Sequence, residues 1–197
     1  LVFQEPETQL SGLALTVEDE VGFGLSMLGF PSEVIRKRTR DALEKVGLKG
    51  FEKRSPSELS GGEQQRLAIA TVLAMEPEIM VLDEPVALLD PIGKSEVLSV
   101  VKELAVEGST IVIAEHEIEE LAYFADRILV LNEGKMVSLD DSKKVLSEVE
   151  KLKKIGIDPP SVTELAYLLE RDLGIKLEYP ITLPEALKIF GELMEGG

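Results

Sequence analysis

The pattern of apolar and polar positions predicts alternating strands and helices in the middle of the chain. Ile79 to Leu82 and Thr110 to Ala114 are short, continuous apolar runs, and we expect the first to be a buried parallel strand. Apolar residues recur at helical spacing from Val97 to Leu104, and a further helix is predicted from about Ile118 to Ala125. An order of strand, helix, strand and helix is typical of a parallel α/β sheet.

The segments on either side of this core have different patterns. Apolar residues at helical spacing between Ile35 and Val46, followed by Gly47, predict a helix. We expect it to belong to a helical subdomain that covers about residues 5 to 60. After the core, Ile128 to Leu131 and Lys135 to Leu139 flank a short turn with a glycine, which predicts an antiparallel hairpin at the sheet edge.

The chain is therefore expected to contain two parts. Residues 1–139 would form the α/β domain with its helical subdomain, and residues 140–197 a charged, mostly helical C-terminal extension. In this extension a leucine stripe follows helical spacing: Leu165, Leu168 and Leu169, with Leu173 nearby. We interpret the stripe as local core of the extension, with contact to a partner as the alternative.

Composition narrows the classes of function. With 44% hydrophobic residues among 197, the chain has enough apolar material for a sizeable core. Its net charge of −16 disfavours non-specific binding of nucleic acid, and the absence of cysteine excludes disulfides and thiolate chemistry. No apolar run approaches the roughly 18 residues that cross a bilayer, and the first residues lack signal-peptide features, so we expect any membrane role to be peripheral.

Two adjacent carboxylates, Asp83 and Glu84, follow the strand from Ile79 to Leu82. In a parallel sheet this position lies at the carboxyl edge, where α/β proteins bind ligands. One carboxylate could hold Mg²⁺ while its neighbour polarises a water for attack on a γ-phosphate. An acidic pair after a strand is common, so an ordinary helix cap or solvated loop is the alternative.

The segment from Leu59 to Glu63 is a more specific signal. Gly61 and Gly62 allow backbone N–H groups to approach an anion, the following helix offers its positive end, and Ser60 adds a hydroxyl. These features predict a phosphate clamp, and a flexible loop before a helix is the alternative.

Taken together, these segments resemble the nucleotide-binding subunit of an ABC transporter. The matching segments are Leu59 to Glu63, Ile79 to Glu84, Ala87 to Asp90, and His116 after a strand. Gln4 stands where that family has its Q-loop glutamine. The resemblance implies a P-loop NTPase-like fold, ATP and Mg²⁺ as cofactors, and ATP hydrolysis between two head-to-tail domains.

The resemblance also implies roles for the residues of the two loops. The residues implied to contact the nucleotide, which the opposite subunit mainly holds, are Ser60, Gly61, Gly62, Glu63 and Asp90. Asp90 would be the D-loop aspartate that couples the two sites, although Leu88 and Leu89 depart from the small residues that usually precede it.

The resemblance implies catalytic and Mg²⁺-binding roles for the remaining residues. The resemblance implies that Glu84 is the general base, that Asp83 serves Mg²⁺, and that His116 contacts the γ-phosphate. Gln4 would take part in catalysis, sense Mg²⁺ and relay to a membrane partner. His116 is the only histidine, and an ordinary surface residue is its alternative.

The family's Gly-rich phosphate loop, which would precede Gln4, is absent from this sequence. Gly93-Lys94-Ser95 imitates part of it, but it follows the acidic strand and lacks the first glycine, so we predict that it begins an ordinary helix. We expect the first strands of the domain to lie upstream, and the 197-residue chain alone to bind nucleotide weakly or be inactive.

Other segments are similar to the ATPases of cobalt, nickel and vitamin uptake systems of the energy-coupling-factor type. They are Phe3 to Leu10, which includes a second glutamine, Gln9, together with Thr16 to Gly24, Asp158 to Leu165 and Pro180 to Leu187. This likeness implies an importer subunit at the cytoplasmic face of the membrane. It also implies a second ATPase subunit, identical or sibling, an integral membrane coupling protein, and a C-terminal extension that helps the subunits to pair.

Two other functions remain as alternatives. An ABC-type ATPase of DNA maintenance would need a long coiled coil and a basic path, and residues 4–60 contain neither. A truncated docking module without activity is the other alternative, although Glu84 and His116 are both present.

Overall fold

The computed structural model describes residues 1–195. The chain forms two compact units, the first spanning Leu1–Glu115 and the second beginning at His116. The predicted hairpin belongs to the second unit. The boundary between the two units separates groups of residues that pack together, and it does not test where the ATPase domain ends. The end of that domain near Leu139 stays a prediction.

The first unit contains the segment for which a helical subdomain is predicted, about residues 5–60. The helices of the whole first unit are α1 (Pro6–Gln9), α2 (Val17–Met27), α3 (Ser32–Lys45), a 3₁₀ turn (Pro56–Glu58), α4 (Gly61–Leu73) and α5 (Pro91–Val106). Thr16 caps α2 by accepting a hydrogen bond from the Asp19 amide, as expected for threonine at this position. Helices α2, α3 and α4 pack against one another.

The first unit also contains the parallel sheet. Strands β1 (Ile79–Asp83) and β2 (Thr110–Ala114) pair in parallel, and α5 is the crossover between them. Val2 adds a bridge on the other side of β1: its amide donates to the Val81 carbonyl at 2.7 Å and its carbonyl accepts from the Asp83 amide at 2.9 Å. The opening segment therefore extends the sheet beyond β1.

Strand β1 is buried on one face only. Met80 and Leu82 are buried, whereas Ile79 and Val81 are 56% and 38% exposed. The prediction of a buried strand is correct for one face and wrong for the other, because the described chain covers only the face of Met80 and Leu82.

The second unit combines a hairpin with helices. Its elements are α6 (Ile118–Leu121), β3 (Arg127–Asn132), β4 (Lys135–Asp141), α7 (Ser142–Leu146), α8 (Val149–Lys154), α9 (Ser161–Leu173) and α10 (Leu183–Glu195). Strands β3 and β4 are antiparallel and form a sheet of their own. Glu133 and Gly134 join them with φ of 50° and 73°, the left-handed pair that suits a tight hairpin. Helix α6 is shorter than predicted and ends at Leu121.

The leucine stripe of α9 is only partly buried. Thr163 and Ala166 are the buried residues of this helix, and Leu168 and Leu169 are half-buried, whereas Leu165 and Leu173 are 46% and 66% exposed. Thr163 donates a hydrogen bond to the Pro180 carbonyl, so its face lies inward. The interpretation of the stripe as local core is therefore wrong for Leu165 and Leu173, and it holds in part for Leu168 and Leu169.

Polar contacts join the helices of the second unit. The Lys143 ammonium in α7 lies 2.9 Å from Glu185 in α10 and 3.0 Å from Glu178. Although burial opposes the ionisation of Glu185, hydrogen bonds from Lys143 and the Ile181 amide lower its pKa.

A tyrosine near the end of the chain has a shifted pKa. The Tyr179 hydroxyl donates to Glu170 at 2.6 Å. That hydrogen bond to a carboxylate, followed by burial, raises the pKa of Tyr179 to about 12.

Candidate functional site

The carboxyl end of β1 brings together two residues predicted to act in catalysis. The Gln4 side-chain amide donates to Glu84 Oε2 at 3.0 Å, across 80 positions of sequence. The Glu84 amide donates to the Ala114 carbonyl at 2.9 Å, which anchors Glu84 to the end of β2. Glu84 has a φ of 43°, a left-handed conformation that costs energy for a non-glycine residue and is common at functional sites.

Asp83 is the last residue of β1, and its side chain is exposed at the same edge. Neither Asp83 nor Glu84 caps a helix, because the next helix, α5, is capped by Asp90. The cap alternative is therefore wrong.

The Asp83 carboxylate and the Gln4 amide at this edge are too few to hold Mg²⁺ without further oxygen ligands. Among residues 1–195, no group of three or more histidine, cysteine or acidic side chains is arranged to hold a metal ion. Mg²⁺ in nucleotide sites commonly takes one or two carboxylates, with phosphate oxygens and waters as the other ligands. Asp83 and the Gln4 amide fit such a site, in which ATP supplies the remaining oxygens.

The second part of the candidate site is a cavity of about 420 Å³ where α4 and α5 begin. The sequence-predicted residues that line it are Ser60, Gly61, Gly62, Glu63 and Asp90. Helix α4 starts at Gly61 and helix α5 at Pro91, so the positive ends of two helix dipoles meet at this cavity. The arrangement offers backbone N–H groups to an anion.

The loop before α4 is ordered by a reciprocal pair of hydrogen bonds. The Ser60 hydroxyl accepts from the Glu63 amide at 3.3 Å, and the Ser60 amide donates to Glu63 Oε2 at 2.7 Å. This capping box fixes the first turn of α4. The phosphate-binding role of this loop stays a prediction, and the Ser60 hydroxyl still has a hydrogen to donate.

Two glycines allow α4 and α5 to approach closely beside the cavity. A Cβ atom on Gly62 would lie 3.1 Å from the Gly93 Cα. The Gly93 amide donates to Asp90 Oδ1 at 2.7 Å, which caps α5. Lys94 and Ser95 continue that helix, so the prediction that this segment begins an ordinary helix is confirmed.

Sequence reasoning missed an ion pair in the cavity wall. Arg66 in α4 pairs with Glu96 in α5, and Arg66 is only 8% exposed. The available signal was spacing, since Arg66 follows Gly62 by one helical turn and therefore shares its face. The pair joins the two helices that form the cavity.

His116 is an exposed residue shortly after β2, where it begins the second unit. Its position after this strand agrees with the sequence analysis. Its contact with a γ-phosphate stays a prediction.

Comparison with known proteins decides the family. The ABC transporter family model matches residues 1–87. The energy-coupling factor transporter ATP-binding protein EcfA1 of Caldanaerobacter subterraneus is 47% identical over 191 residues, which are 96% of this chain and 68% of that protein. This chain belongs to the ABC transporter ATPases of the energy-coupling factor type. It is accordingly part of an ATPase that is coupled to transport.

Further comparisons agree with this family. EcfA of Methanocaldococcus jannaschii is 40% identical over 185 residues, covering 94% of this chain and 66% of that protein. The solved structure of cbiO1 from Clostridium perfringens, part of the ABC transporter complex cbiONQ, superposes with a TM-score of 0.70 and 36% identity. The superposed region covers 86% of this chain and 66% of cbiO1. The chain thus spans about two thirds of the length of these relatives.

These relatives confirm the expected P-loop NTPase fold, with its parallel sheet and antiparallel hairpin. They assign the chain to transport rather than to DNA maintenance. Within residues 1–195, no helix has both the length and the apolar character that crossing a bilayer requires.

Proposed function

We propose that the protein hydrolyses ATP with Glu84 as general base and thereby energises an importer. The observation that carries this proposal is the 3.0 Å hydrogen bond from Gln4 to Glu84 at the carboxyl end of β1. It holds a carboxylate beside Asp83, which we propose as the Mg²⁺ ligand of the nucleotide. A carboxylate in this position can polarise a water for in-line attack on a γ-phosphate.

The cavity at α4 and α5 supports a role for a second ATPase subunit. Its walls offer two helix N-termini and the Ser60 hydroxyl, which suit a phosphate group. Asp90 lies in the same wall and caps α5. We propose that this cavity contacts the γ-phosphate of ATP held mainly by the opposite subunit. We also propose that His116 contacts a γ-phosphate of ATP. The opposite subunit is a second copy of this chain or a sibling.

The C-terminal extension, residues 140–197, is proposed to help the subunits to pair. Its helices present exposed leucines: Leu165 at 46%, Leu173 at 66%, Leu183 at 54% and Leu187 at 68%. Exposed apolar side chains mark a contact surface where they form one patch, and we propose that these leucines do so. The partner-contact alternative for the stripe of α9 is thus the one we propose.

An integral membrane protein is the other proposed partner. Apolar side chains of the helical subdomain are exposed: Leu13, Leu15, Met27 and Leu28. A relative of this chain, cbiO1, is described as part of the complex cbiONQ. We propose that the subunit is peripheral at the cytoplasmic face of the membrane and serves uptake of a transition-metal ion, cobalt or nickel, or of a vitamin.

The test uses Glu84→Gln in the protein expressed from its native gene. We expect Glu84→Gln to lower ATP hydrolysis at least about a hundredfold, because the general base is lost, and to trap an ATP-bound dimer. Glu78→Gln is the matched control, since Glu78 is an exposed glutamate just before β1, and we expect its activity to equal that of the parent. Equal rates for Glu84→Gln and the parent would refute the assignment of the base.

A further inference from the structure

Two glutamines hold the peptide groups on either side of Phe3, the residue before Gln4. The Phe3 amide donates to Gln9 Oε1 at 3.1 Å. The Phe3 carbonyl accepts from Gln65 Nε2 at 3.3 Å. Both peptide planes that flank Phe3 are therefore fixed by side chains, and this limits where Gln4 can lie.

Both glutamines connect Phe3 to helix α4. Gln65 belongs to α4, and Gln9 donates to the Ala68 carbonyl of α4 at 2.8 Å and to the Thr71 hydroxyl at 3.1 Å. A displacement of α4 along its axis would therefore move the backbone at Phe3.

Gln65 is costly as a purely structural residue. It is 1% exposed, and its Oε1 atom is buried without a hydrogen-bond partner among residues 1–195. An unsatisfied buried oxygen destabilises a fold, so an apolar residue of the same shape would serve packing better. The hydrogen bond from the Gln65 side chain to the Phe3 carbonyl is a functional reason for an amide at this position.

We propose that Gln65 and Gln9 are positioning residues that couple the start of α4, with its nucleotide cavity, to Gln4 and hence to Glu84. The proposal rests on the proposed function, because it links the cavity for the opposite subunit's nucleotide to the hydrolytic base of this subunit. Movement of α4 when the cavity closes on a phosphate reaches Gln4 through Phe3. Contact of Gln4 with Glu84 then depends on the state of the other site.

The deciding experiment is a double-mutant cycle in the protein expressed from its native gene. Gln65→Met keeps the volume and removes the amide, and we expect kcat to fall about tenfold with the KM for ATP within about twofold. In a Gln4→Ala background the same substitution should change kcat by less than about twofold, since the residue it positions is gone. The urea midpoint of Gln65→Met should stay close to that of the parent, because the removal of a buried unsatisfied oxygen offsets the loss of the hydrogen bond to the Phe3 carbonyl.

The matched control is Gln64→Met. Gln64 neighbours Gln65 on α4, but its side chain points to the Pro56 carbonyl at 3.4 Å instead of to Phe3. We expect its kcat to equal that of the parent. An unchanged kcat in Gln65→Met, or an equal loss in the parent and the Gln4→Ala backgrounds, would overturn the proposal.

A second measurement separates this proposal from the proposed function. Gln9→Met should accelerate hydrogen exchange at the Phe3 amide by at least about fivefold, because that amide loses its acceptor. Unchanged exchange would overturn the positioning of Phe3 by Gln9, whether or not the protein hydrolyses ATP. Absence of ATP hydrolysis in the parent would refute the proposed function. The exchange result would then test the positioning of Phe3 by itself.

Discussion

Replacing Gly62 by alanine tests the close approach of α4 and α5. The added methyl carbon would lie 3.1 Å from the Gly93 Cα, an atom of helix backbone that cannot rotate aside. Carbon atoms in contact prefer about 3.5–4.0 Å. The two helices must therefore separate by a few tenths of an ångström, beside the cavity that both helices line.

The expected cost follows from two opposing effects. Overpacking of this kind destabilises by about 1–3 kcal/mol, while alanine in place of helical glycine stabilises by at most about 1 kcal/mol. If the full gain applies, the net loss for Gly62→Ala relative to the parent is about 0–2 kcal/mol. Gly61→Ala is the matched control, because its methyl group would meet only the flexible Leu89 side chain at 3.5 Å. We expect that variant to be as stable as the parent or slightly more stable.

The assay must report on the first unit. The chain has no tryptophan, and its tyrosines, Tyr123, Tyr167 and Tyr179, lie in the second unit, so intrinsic fluorescence is unsuitable. Amide hydrogen exchange in α4 and α5 is suitable. Gly62→Ala should exchange up to about 30 times faster than the parent. It should exchange at least about 5 times faster than Gly61→Ala, which has the same gain in helix propensity without the close contact. If Gly62→Ala exchanged as slowly as Gly61→Ala, the reasoning from the close contact would be refuted.

Other predictions concern caps and charges. Ser60→Ala should destabilise α4 by about 1 kcal/mol through loss of its N-cap, measured by exchange of the first-turn amides, and an unchanged rate would contradict the cap. Because its pKa is raised to about 12, Tyr179 should ionise only at higher pH than an ordinary tyrosine, and the stability it contributes should be lost between about pH 10 and pH 12. Glu170→Gln should lower that pKa in a tyrosinate absorbance titration, whereas an unshifted titration would contradict the hydrogen bond. Lys143→Met should destabilise the second unit by about 0.5–1 kcal/mol in thermal unfolding at neutral pH. Since the pKa of Glu185 is lowered, the loss should shrink as the pH falls through that pKa, and a loss that is constant with pH would contradict the pairing.

Sequence reasoning predicted the elements whose patterns are local. The loop from Ser60 to Glu63 contains a complete capping box within four residues, so its order and its position before a helix follow from nearby residues alone. Asp90 before Pro91 is a helix start of the same kind. These two local signals account for most of the cavity wall.

The features that sequence reasoning missed depend on residues far apart in the chain. Gln65 and Phe3 are 62 positions apart, and Arg66 and Glu96 are 30 apart, so no pattern within one element indicates either contact. Leu165 and Leu173 were assigned to the wrong environment for a related reason. Helical spacing shows which residues of α9 share a face but not what that face meets, and here the most buried residues are Thr163 and Ala166.

Helix α4 is held on two sides, and this constrains how the cavity can respond to a ligand. On one side Gly62 lies against Gly93 of α5, and on the other Gln65 holds the Phe3 carbonyl. The start of α4 therefore cannot shift toward a phosphate without either carrying α5 with it or pulling on the backbone before Gln4. Since the capping box makes the first turn of α4 stiff, a force on Ser60 acts on the whole helix rather than on the loop. A ligand that contacts Ser60 in the cavity can therefore displace α4 as one body. Through Gln65 and Phe3, that displacement alters the hydrogen bond between Gln4 and Glu84, and the conformation of α4 itself need not change.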